Sequence, residues 1–298
     1  MRSRRAPFLL CLLFFLLTGP WPATATGSQN DGRVPVVVSI PPQLFFVERI
    51  GGERVRADVM VRPGQSPHTY APTPKQMAGL ARAKIYFRIG VAFENGFLPK
   101  LQSAVPDIRI VDTTSGITLA KMTAHDEHGD DHGHQAEELD IHTWLDPMLV
   151  KQQAAIIRDS LSELDPADRS LFAANYRRFA EELDALHLRL SQSLAPYRGK
   201  SFFVFHPAFG YFARAYGLHQ VAVESGGKQP GPRHLARLID RARAEGVQVL
   251  FVQPQFSVKS AETIARAIDG VVIPLDPLAP DYLANMGRIA VALEKALR

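Results

Sequence analysis

Three histidines and one aspartate occupy positions from which a folded chain could bind a metal ion. His68 comes soon after a strand-like run, and His142 comes just before a helix-like pattern. His206 and Asp276 each end an apolar run, and a proline follows each of them. Three imidazoles and one carboxylate suit a tetrahedral Zn²⁺ site, although imidazole also suits copper, iron or nickel and a carboxylate favours manganese. Each residue has a plainer alternative, because a histidine after a strand is commonly a loop residue and Asp276 could cap a turn.

The N-terminal sequence predicts where the protein works. Three arginines within the first five residues precede the apolar run Phe8–Leu17, and the small residues Ala23–Ala25 follow it. This order is typical of a secretory signal peptide, and the apolar run is too short to span a bilayer. We therefore expect a cleavable signal peptide over residues 1–25 and a protein exported to the periplasm.

Cysteine content and charge limit the ligands and partners. Cys11, the only cysteine, lies in the predicted leader. Its removal would exclude disulfides and thiolate ligands, so a metal must be held by His, Asp, Glu or water. The net charge of +4 includes the three leader arginines, which leaves +1 for the rest of the chain. Since no basic stripe with interleaved aromatic residues is present, we expect no nucleic-acid partner.

Strand-like runs and helical patterns alternate along both halves of the chain. The runs lie at 34–40, 56–61, 84–89 and 108–112 in the first half, and at 201–205, 218–223, 248–253 and 271–275 in the second. This alternation predicts an α/β fold in which helices cover parallel sheets. Ligands of open parallel sheets bind beyond the carboxyl ends of the strands. His68, His206 and Asp276 lie at or soon after such ends, so a cleft between the halves could gather all four candidate ligands.

A long helical pattern separates the two series of strands. Asp165 is a good N-cap, and Pro166 suits the first helical position. Apolar residues then recur every three or four positions from Phe172 to Leu194, with no proline or glycine before Pro196. The pattern predicts a helix of about 30 residues, roughly 45 Å long, that joins two lobes. We expect a signal peptide at 1–25, an N-terminal lobe at 26–164, the connecting helix at 165–196 and a C-terminal lobe at 197–298.

Four motifs occur in the order found in one known family. They are Gln65–Tyr70 (QSPHTY), His142–Pro147 (HTWLDP), His206–Phe212 (HPAFGYF) with Tyr216–Leu218 after it, and Leu275–Leu278 (LDPL) with Tyr282 after it. From about Val34 to its end, the chain resembles the zinc/manganese-type (cluster A-I) metal receptors of bacterial ABC transporters. Within that family it is most similar to the periplasmic zinc-uptake solute-binding proteins.

The resemblance implies an architecture and a set of ligands. It implies two lobes, each a four-stranded parallel sheet with flanking helices, joined by one long helix and holding one tightly bound Zn²⁺ between them. His68, His142 and His206 match the family's histidine ligands. Asp276 matches a C-terminal aspartate that some members use, while others leave that place to water or another carboxylate. The resemblance further implies a monomeric receptor, not an enzyme, that delivers zinc to the membrane permease of an ABC transporter.

The segment from about residue 116 to residue 140 loses apolar periodicity and contains a histidine-rich tract. His125, His128, His132 and His134 are interleaved with aspartates and glutamates. Such a polar insert is typical of a solvated surface loop, although histidine-rich tracts also indicate metal binding. Zinc-type members of the resembled family commonly carry such an insert, whereas manganese-type members commonly do not. We therefore hypothesise that these histidines form a weaker auxiliary zinc site.

Three other functions were weighed against zinc uptake: a manganese- or iron-type receptor of the same family, a metal-binding adhesin and a zinc hydrolase. Members described as adhesins occur in the family, but a leader without a lipidation pattern favours a periplasmic receptor. A hydrolase is disfavoured, because the chain has no H-E-x-x-H or G-x-S-x-G motif and no candidate base beside a ligand. Glu224 follows a strand, but it is equally interpretable as a surface residue. With Asp276 as a fourth ligand, the shell would also be closed to a catalytic water.

Overall fold

The computed structural model describes residues 32–122, 139–224 and 231–298. In the first half, the strands are β1 (Val34–Val38), β2 (Val55–Val59), β3 (Ile85–Arg88) and β4 (Arg109–Asp112), and the helices are α1 (Pro41–Gly51), α2 (Pro74–Leu80) and α3 (Ala92–Ala104). Two helices follow, α4 (Pro147–Leu164) and α5 (Arg169–Leu194). The second half contains β5 (Ser201–Val204), β6 (His219–Ala222), β7 (Val249–Val252) and β8 (Val271–Pro274), with α6 (Gly210–Tyr216), α7 (Pro232–Ala244), α8 (Val258–Ala267) and α9 (Tyr282–Ala296). Within these ranges, no helix combines the length and the apolar character needed to cross a membrane.

The two sheets share one topology. Their strand orders are β2-β1-β3-β4 and β6-β5-β7-β8, and every pair of neighbouring strands is parallel. The predicted fold class, two four-stranded parallel sheets with flanking helices and a long helix between them in the chain, is confirmed. In each sheet the direction of strand addition reverses between the first and third strands. Such a reversal leaves a crevice at the carboxyl ends of the two strands, where open α/β sheets bind ligands.

The two halves are joined by a common hydrophobic core. One cluster of buried side chains runs from β1, β3 and α1 through α4 and α5 to β5, α6 and α9. Phe46 of α1 and Tyr282 of α9 meet in this core with a T-shaped ring contact, 4.9 Å between centroids. Two smaller clusters cover other faces of the two sheets. Because packed interiors resist deformation, large movements between the sheets would disrupt the common core.

The long helix lies at the centre of that core. Helix α5 has 26 residues, which corresponds to about 39 Å, and it packs against α1, α4, α6 and α9. It is shorter than predicted because a 3-10 turn at each end, Pro166–Asp168 and Ala195–Tyr197, takes up the remaining residues. Asp165 and Pro166 stand at the N-cap and first position of the 3-10 turn that precedes α5, but the Asp165 side chain makes no capping hydrogen bond. Its carboxylate instead lies 3.6 Å from Arg54, which also pairs with Asp168.

A buried polar network fixes the carboxyl edge of the first sheet. Glu94 is fully buried and accepts hydrogen bonds from the Ser39 hydroxyl and from the backbone amides of Ile89 and Gly90. Burial raises the pKa of the Glu94 carboxyl, and these hydrogen bonds partly oppose that rise. The network thereby holds the turn after β3, whose next residues, Val91 and Ala92, line the cavity described below.

We expect Phe179→Ala to destabilise the protein strongly. Phe179 of α5 is fully buried and contacts the rings of Phe45 and Phe46. Truncation of such a core aromatic lowers the free energy of unfolding by about 3–5 kcal/mol. Leu188→Ala on the same helix is the control, since Leu188 is 57% exposed and its loss should cost less than about 0.5 kcal/mol. Urea unfolding of both variants measures the difference, and equal losses would show that α5 does not anchor the core.

Candidate metal centre

Three histidine side chains converge on one point. The ligand nitrogens of His68, His142 and His206 all lie within 4.8 Å of one another. The Nε2 atom of His206 is 3.3 Å from Nε2 of His68 and 3.3 Å from Nε2 of His142. Nitrogens bound at about 2.0–2.1 Å to a tetrahedral Zn²⁺ lie about 3.3–3.4 Å apart, whereas ligands at right angles would lie about 2.8–3.0 Å apart at the same bond length. These two distances match the edges of a tetrahedral zinc shell, and all three rings offer a nitrogen close enough to share one ion.

Each histidine is positioned by a different element. His68 lies in the turn between β2 and α2 and is exposed, and its backbone amide donates to Ser66 Oγ at 3.3 Å. His142 is buried and directly precedes a 3-10 turn, Thr143–Leu145, that leads into α4. His206 is buried two residues beyond the end of β5. The candidate site thus combines two buried histidines and one exposed histidine.

Buried carboxylates orient the two buried rings. Nδ1 of His142 lies 2.9 Å from Asp140 Oδ1, and Nδ1 of His206 lies 2.9 Å from Glu224 Oε1. An ionised carboxylate can only accept, so each Nδ1 must donate, and the Nε2 lone pairs are left to face each other. Two such lone pairs 3.3 Å apart repel unless a cation lies between them. Pairing of a ligating imidazole with an outer carboxylate is the usual arrangement in metal sites.

Both carboxylates are themselves held in place. Asp140 Oδ1 also accepts from the backbone amide of His142 at 3.0 Å, and its other oxygen lies 3.6 Å from Arg214. Glu224 continues the β6 pairing, since its backbone amide donates to Phe205 O at 2.9 Å. The exposed fractions of Asp140 and Glu224 are only 2% and 6%. Neither carboxylate can rotate away without losing a buried hydrogen bond.

The backbone and ring of His206 have further supports. Gln253, fully buried at the end of β7, accepts from the His206 amide at 3.1 Å and donates to the His206 carbonyl at 2.7 Å. The ring of Phe256 stacks on the imidazole with 4.9 Å between centroids and 21° between planes. His206 therefore sits at the β5–β7 crevice with its position fixed on three sides.

The histidines border a small cavity whose walls come from both halves of the chain. Its volume is about 20 Å³, enough for one ion or one water molecule. The residues that line it are Ser66, Pro67, His68, Val91, Ala92, Ile141, His142, Trp144, His206, Gln253, Gln255, Phe256, Pro277 and Leu278. Of these described residues none carries a carboxylate, so the protein donors that face the cavity are chiefly imidazoles within apolar walls.

Asp276 is not part of this cluster. Among the described residues, the group of ligand atoms within 4.8 Å of one another contains the three histidines alone. Asp276 Oδ1 instead accepts from Gln255 Nε2 and from the Leu278 amide, both at 2.9 Å. The residue lines a separate groove beside α9. The structure therefore brings together three of the four predicted ligands, and ligation by Asp276 stays a prediction.

Comparison with known proteins identifies the family. The family model for the periplasmic zinc-uptake complex component A, ZnuA, matches residues 36–296. The chain belongs to the ZnuA family. The resemblance seen in the four motifs is thereby confirmed, and the membership groups this chain with receptors of uptake systems, not with enzymes.

Individual relatives of this ZnuA-family chain include a zinc-uptake protein and a zinc-binding lipoprotein. The high-affinity zinc uptake system protein ZnuA of Yersinia pestis is 30% identical over 269 residues, covering 84% of each chain. The zinc-binding lipoprotein AdcA of Streptococcus pneumoniae is 28% identical over 97% of this chain, but the match spans only 58% of AdcA. A crystal structure of ZnuA superposes with a TM-score of 0.83 at 40% identity, covering 89% of this chain and all of that one.

The sequence prediction did not assign the residues that support the ligands. The sequence alone is compatible with Glu224 as a candidate base or as a surface residue, whereas in the structure it is buried behind His206, on the Nδ1 side of the ring and away from Nε2. It is therefore not placed as a base for water at the metal position. The sequence did contain a signal for these supporting roles, because Glu224 and Gln253 follow the ends of β6 and β7 just as His206 follows the end of β5. Asp140 lies two residues before His142, a spacing that suits a local turn contact.

Two predictions fall outside the described residues. The auxiliary histidines His125, His128, His132 and His134 lie in the range 123–138, and the signal peptide lies in the range 1–31. Lys121 and Leu139, which flank the first of these ranges, form an antiparallel bridge. Asp140 immediately follows that bridge, so the base of the histidine-rich insert adjoins the carboxylate that orients His142.

We expect Glu224→Gln and Asp140→Asn each to weaken zinc binding by about 10–100-fold, because loss of an outer carboxylate partner typically costs that much. Each substitution keeps the side-chain volume but removes the negative charge that stabilises the donating Nδ1–H. Asp184→Asn is the control, since Asp184 is an exposed aspartate that pairs with Lys151 on the surface. Competition with a chromophoric chelator measures the affinities. Equal affinities for all three variants would rule out the orienting role.

Proposed function

We propose that this protein is a periplasmic receptor that captures one Zn²⁺ ion between its two α/β lobes and delivers it to the permease of an ABC transporter. One observation carries the proposal: Nε2 of His206 lies 3.3 Å from Nε2 of His68 and 3.3 Å from Nε2 of His142, which is the spacing of ligands in a tetrahedral zinc shell. The other described residues that line the cavity come from both halves of the chain, and none of them is an aspartate, glutamate, lysine or arginine. Binding, and not turnover, is the chemistry that such a site performs.

The donor set favours zinc over manganese. Imidazole nitrogens suit zinc, whereas manganese prefers carboxylate, carbonyl and water oxygens. The tetrahedral spacing of the three nitrogens adds to this preference, because octahedral ligands would stand closer together. The names of the matched family and of both relatives, which refer to zinc uptake and zinc binding, support the same choice. A water molecule or Asp276 completes the shell.

The route of the ion follows from the exposure of its ligands. His68 is the exposed ligand, so we propose that zinc first meets His68 and is then enclosed by the buried pair His142 and His206. The common core and α5 restrict movement between the sheets, so closure around the metal is small.

Export and auxiliary zinc binding complete the proposal. The leader over residues 1–25 directs the chain to the periplasm, in agreement with the family's description as a periplasmic component. The histidines at 125, 128, 132 and 134 collect additional zinc weakly near the main site. The receptor acts as a monomer.

Calorimetric titration of the metal-stripped protein without residues 1–25 tests the function. We expect one tight zinc site and much weaker binding of manganese. His206→Ala should weaken zinc binding by more than the roughly 10–100-fold that loss of an outer partner costs, because it removes a ligand. His219→Ala is the matched control, since His219 lies exposed on β6 and its loss should leave the site intact. Tighter binding of manganese, or tight zinc binding that survives in His206→Ala, would contradict the proposal.

A further inference from the structure

Gln255 lines the cavity beside the histidines and donates from Nε2 to Asp276 Oδ1 at 2.9 Å. We propose that Gln255 is a specificity-determining residue, which holds the Asp276 carboxylate away from the metal and leaves the fourth position to water. The inference rests on the proposed function, because it concerns the shell of the same zinc ion. Under this proposal, the Gln255 amide determines whether the metal is bound by the three histidines and water or by the three histidines and the Asp276 carboxylate.

The Asp276 carboxylate lies too far from the three histidine nitrogens to be a fourth ligand in this structure. A fourth ligand of a tetrahedral zinc ion must lie about 3.3–3.4 Å from each of the other three ligand atoms. The carboxylate of Asp276 does not lie within even 4.8 Å of all three histidine nitrogens. Leu275 and Pro277, on either side of Asp276, are buried, and Pro277 and Leu278 line the metal cavity. The backbone at Asp276 therefore reaches the cavity, while its carboxylate does not join the ligands.

Three hydrogen bonds hold Asp276 in place. Its Oδ1 atom accepts from Gln255 Nε2 and from the Leu278 amide, both at 2.9 Å. Its carbonyl accepts from Asn285 Nδ2 of α9 at 2.7 Å. The Leu278 amide belongs to the local turn and Asn285 holds only the backbone. Gln255 therefore makes the only one of these three bonds that ties the carboxylate to another element.

A positively charged side chain, Arg288, lies in the same groove beside α9 as Asp276. The hydrogen bonds that Arg288 donates to Asp281, with a smaller contribution from the charge of Asp276, raise the pKa of the Arg288 guanidinium. A positive charge therefore lies on the side of Asp276 that faces α9. It stabilises the carboxylate in the groove, in the same direction as the Gln255 hydrogen bond.

Gln255 contacts both the metal cavity and Asp276. It follows β7, lines the metal cavity beside His206 and Phe256, and donates to Asp276, two residues after the end of β8. Without this donor, the Leu278 amide alone of these two donors would hold the carboxylate, and the Asp276 side chain could turn toward the metal more easily. A carboxylate oxygen in the shell would supply the hard ligand that manganese prefers. Gln255 therefore favours zinc by keeping that oxygen away.

The test is a double-mutant series in the leaderless protein. Gln255→Leu removes the donor at nearly the same volume, Gln255→Met serves the same purpose should the leucine variant fold poorly, and Gln248→Leu is the control at an exposed glutamine just before β7. Zinc and manganese affinities are measured by chelator competition, and the visible absorption of bound Co²⁺ reports the ligand set. We expect manganese affinity to rise by about tenfold or more on loss of Gln255, the scale of outer-partner effects, with a changed Co²⁺ spectrum. Both changes should disappear in Gln255→Leu/Asp276→Ala.

Two results would overturn the inference without affecting the proposed function. One is unchanged manganese affinity and an unchanged Co²⁺ spectrum in folded Gln255→Leu and Gln255→Met. The other is a loss of zinc affinity in Asp276→Ala as large as that in His206→Ala, because Asp276 would then already be a ligand. Failure of the unsubstituted protein to bind zinc tightly would instead contradict the proposed function itself, and that measurement precedes the series.

Discussion

Two buried hydrogen bonds, from His142 Nδ1 to Asp140 and from His206 Nδ1 to Glu224, decide where the nitrogen lone pairs of the site point. Each carboxylate fixes the tautomer of its imidazole and leaves Nε2 as the only donor to a metal. Because both partners are buried, the rings cannot be reoriented by solvent. The 3.3 Å approach of the Nε2 atoms is tolerable because a cation can be shared between them. Affinity and geometry thus both depend on groups that never touch the ion.

The fold supplies these groups from strand ends. Within the second sheet, His206, Glu224 and Gln253 follow β5, β6 and β7, so the ligand, the carboxylate behind it and the amide that holds its backbone come from neighbouring strands. Trp144, two residues after His142, donates from Nε1 to Pro277 O at 2.8 Å and joins the halves beside the cavity. The common core around α5 then keeps the two sheets at a fixed spacing, as a preformed three-ligand site requires.

Much of this arrangement could be predicted from sequence, because it depends on local patterns. Apolar runs located all eight strands to within about two residues, and the spacing from Phe172 to Leu194 located α5. The histidines were found because strand ends and motif order single them out. Glu224 was not assigned, since its burial depends on pairing between β5 and β6. The position of the Asp276 carboxylate could not be predicted from local sequence either, because it depends on a hydrogen bond from Gln255, 21 residues away. The Asp165 side chain makes no capping bond, and its carboxylate lies 3.6 Å from Arg54, which is remote in sequence.

A crystal structure of the zinc-loaded protein, with anomalous scattering measured at the zinc edge, tests the central claim most directly. The account predicts one strong anomalous peak about 2.0–2.1 Å from Nε2 of His68, His142 and His206, with both Nδ1–carboxylate bonds intact. A peak bound through Nδ1 of His142 or His206, or a principal zinc site away from these three residues, would contradict it.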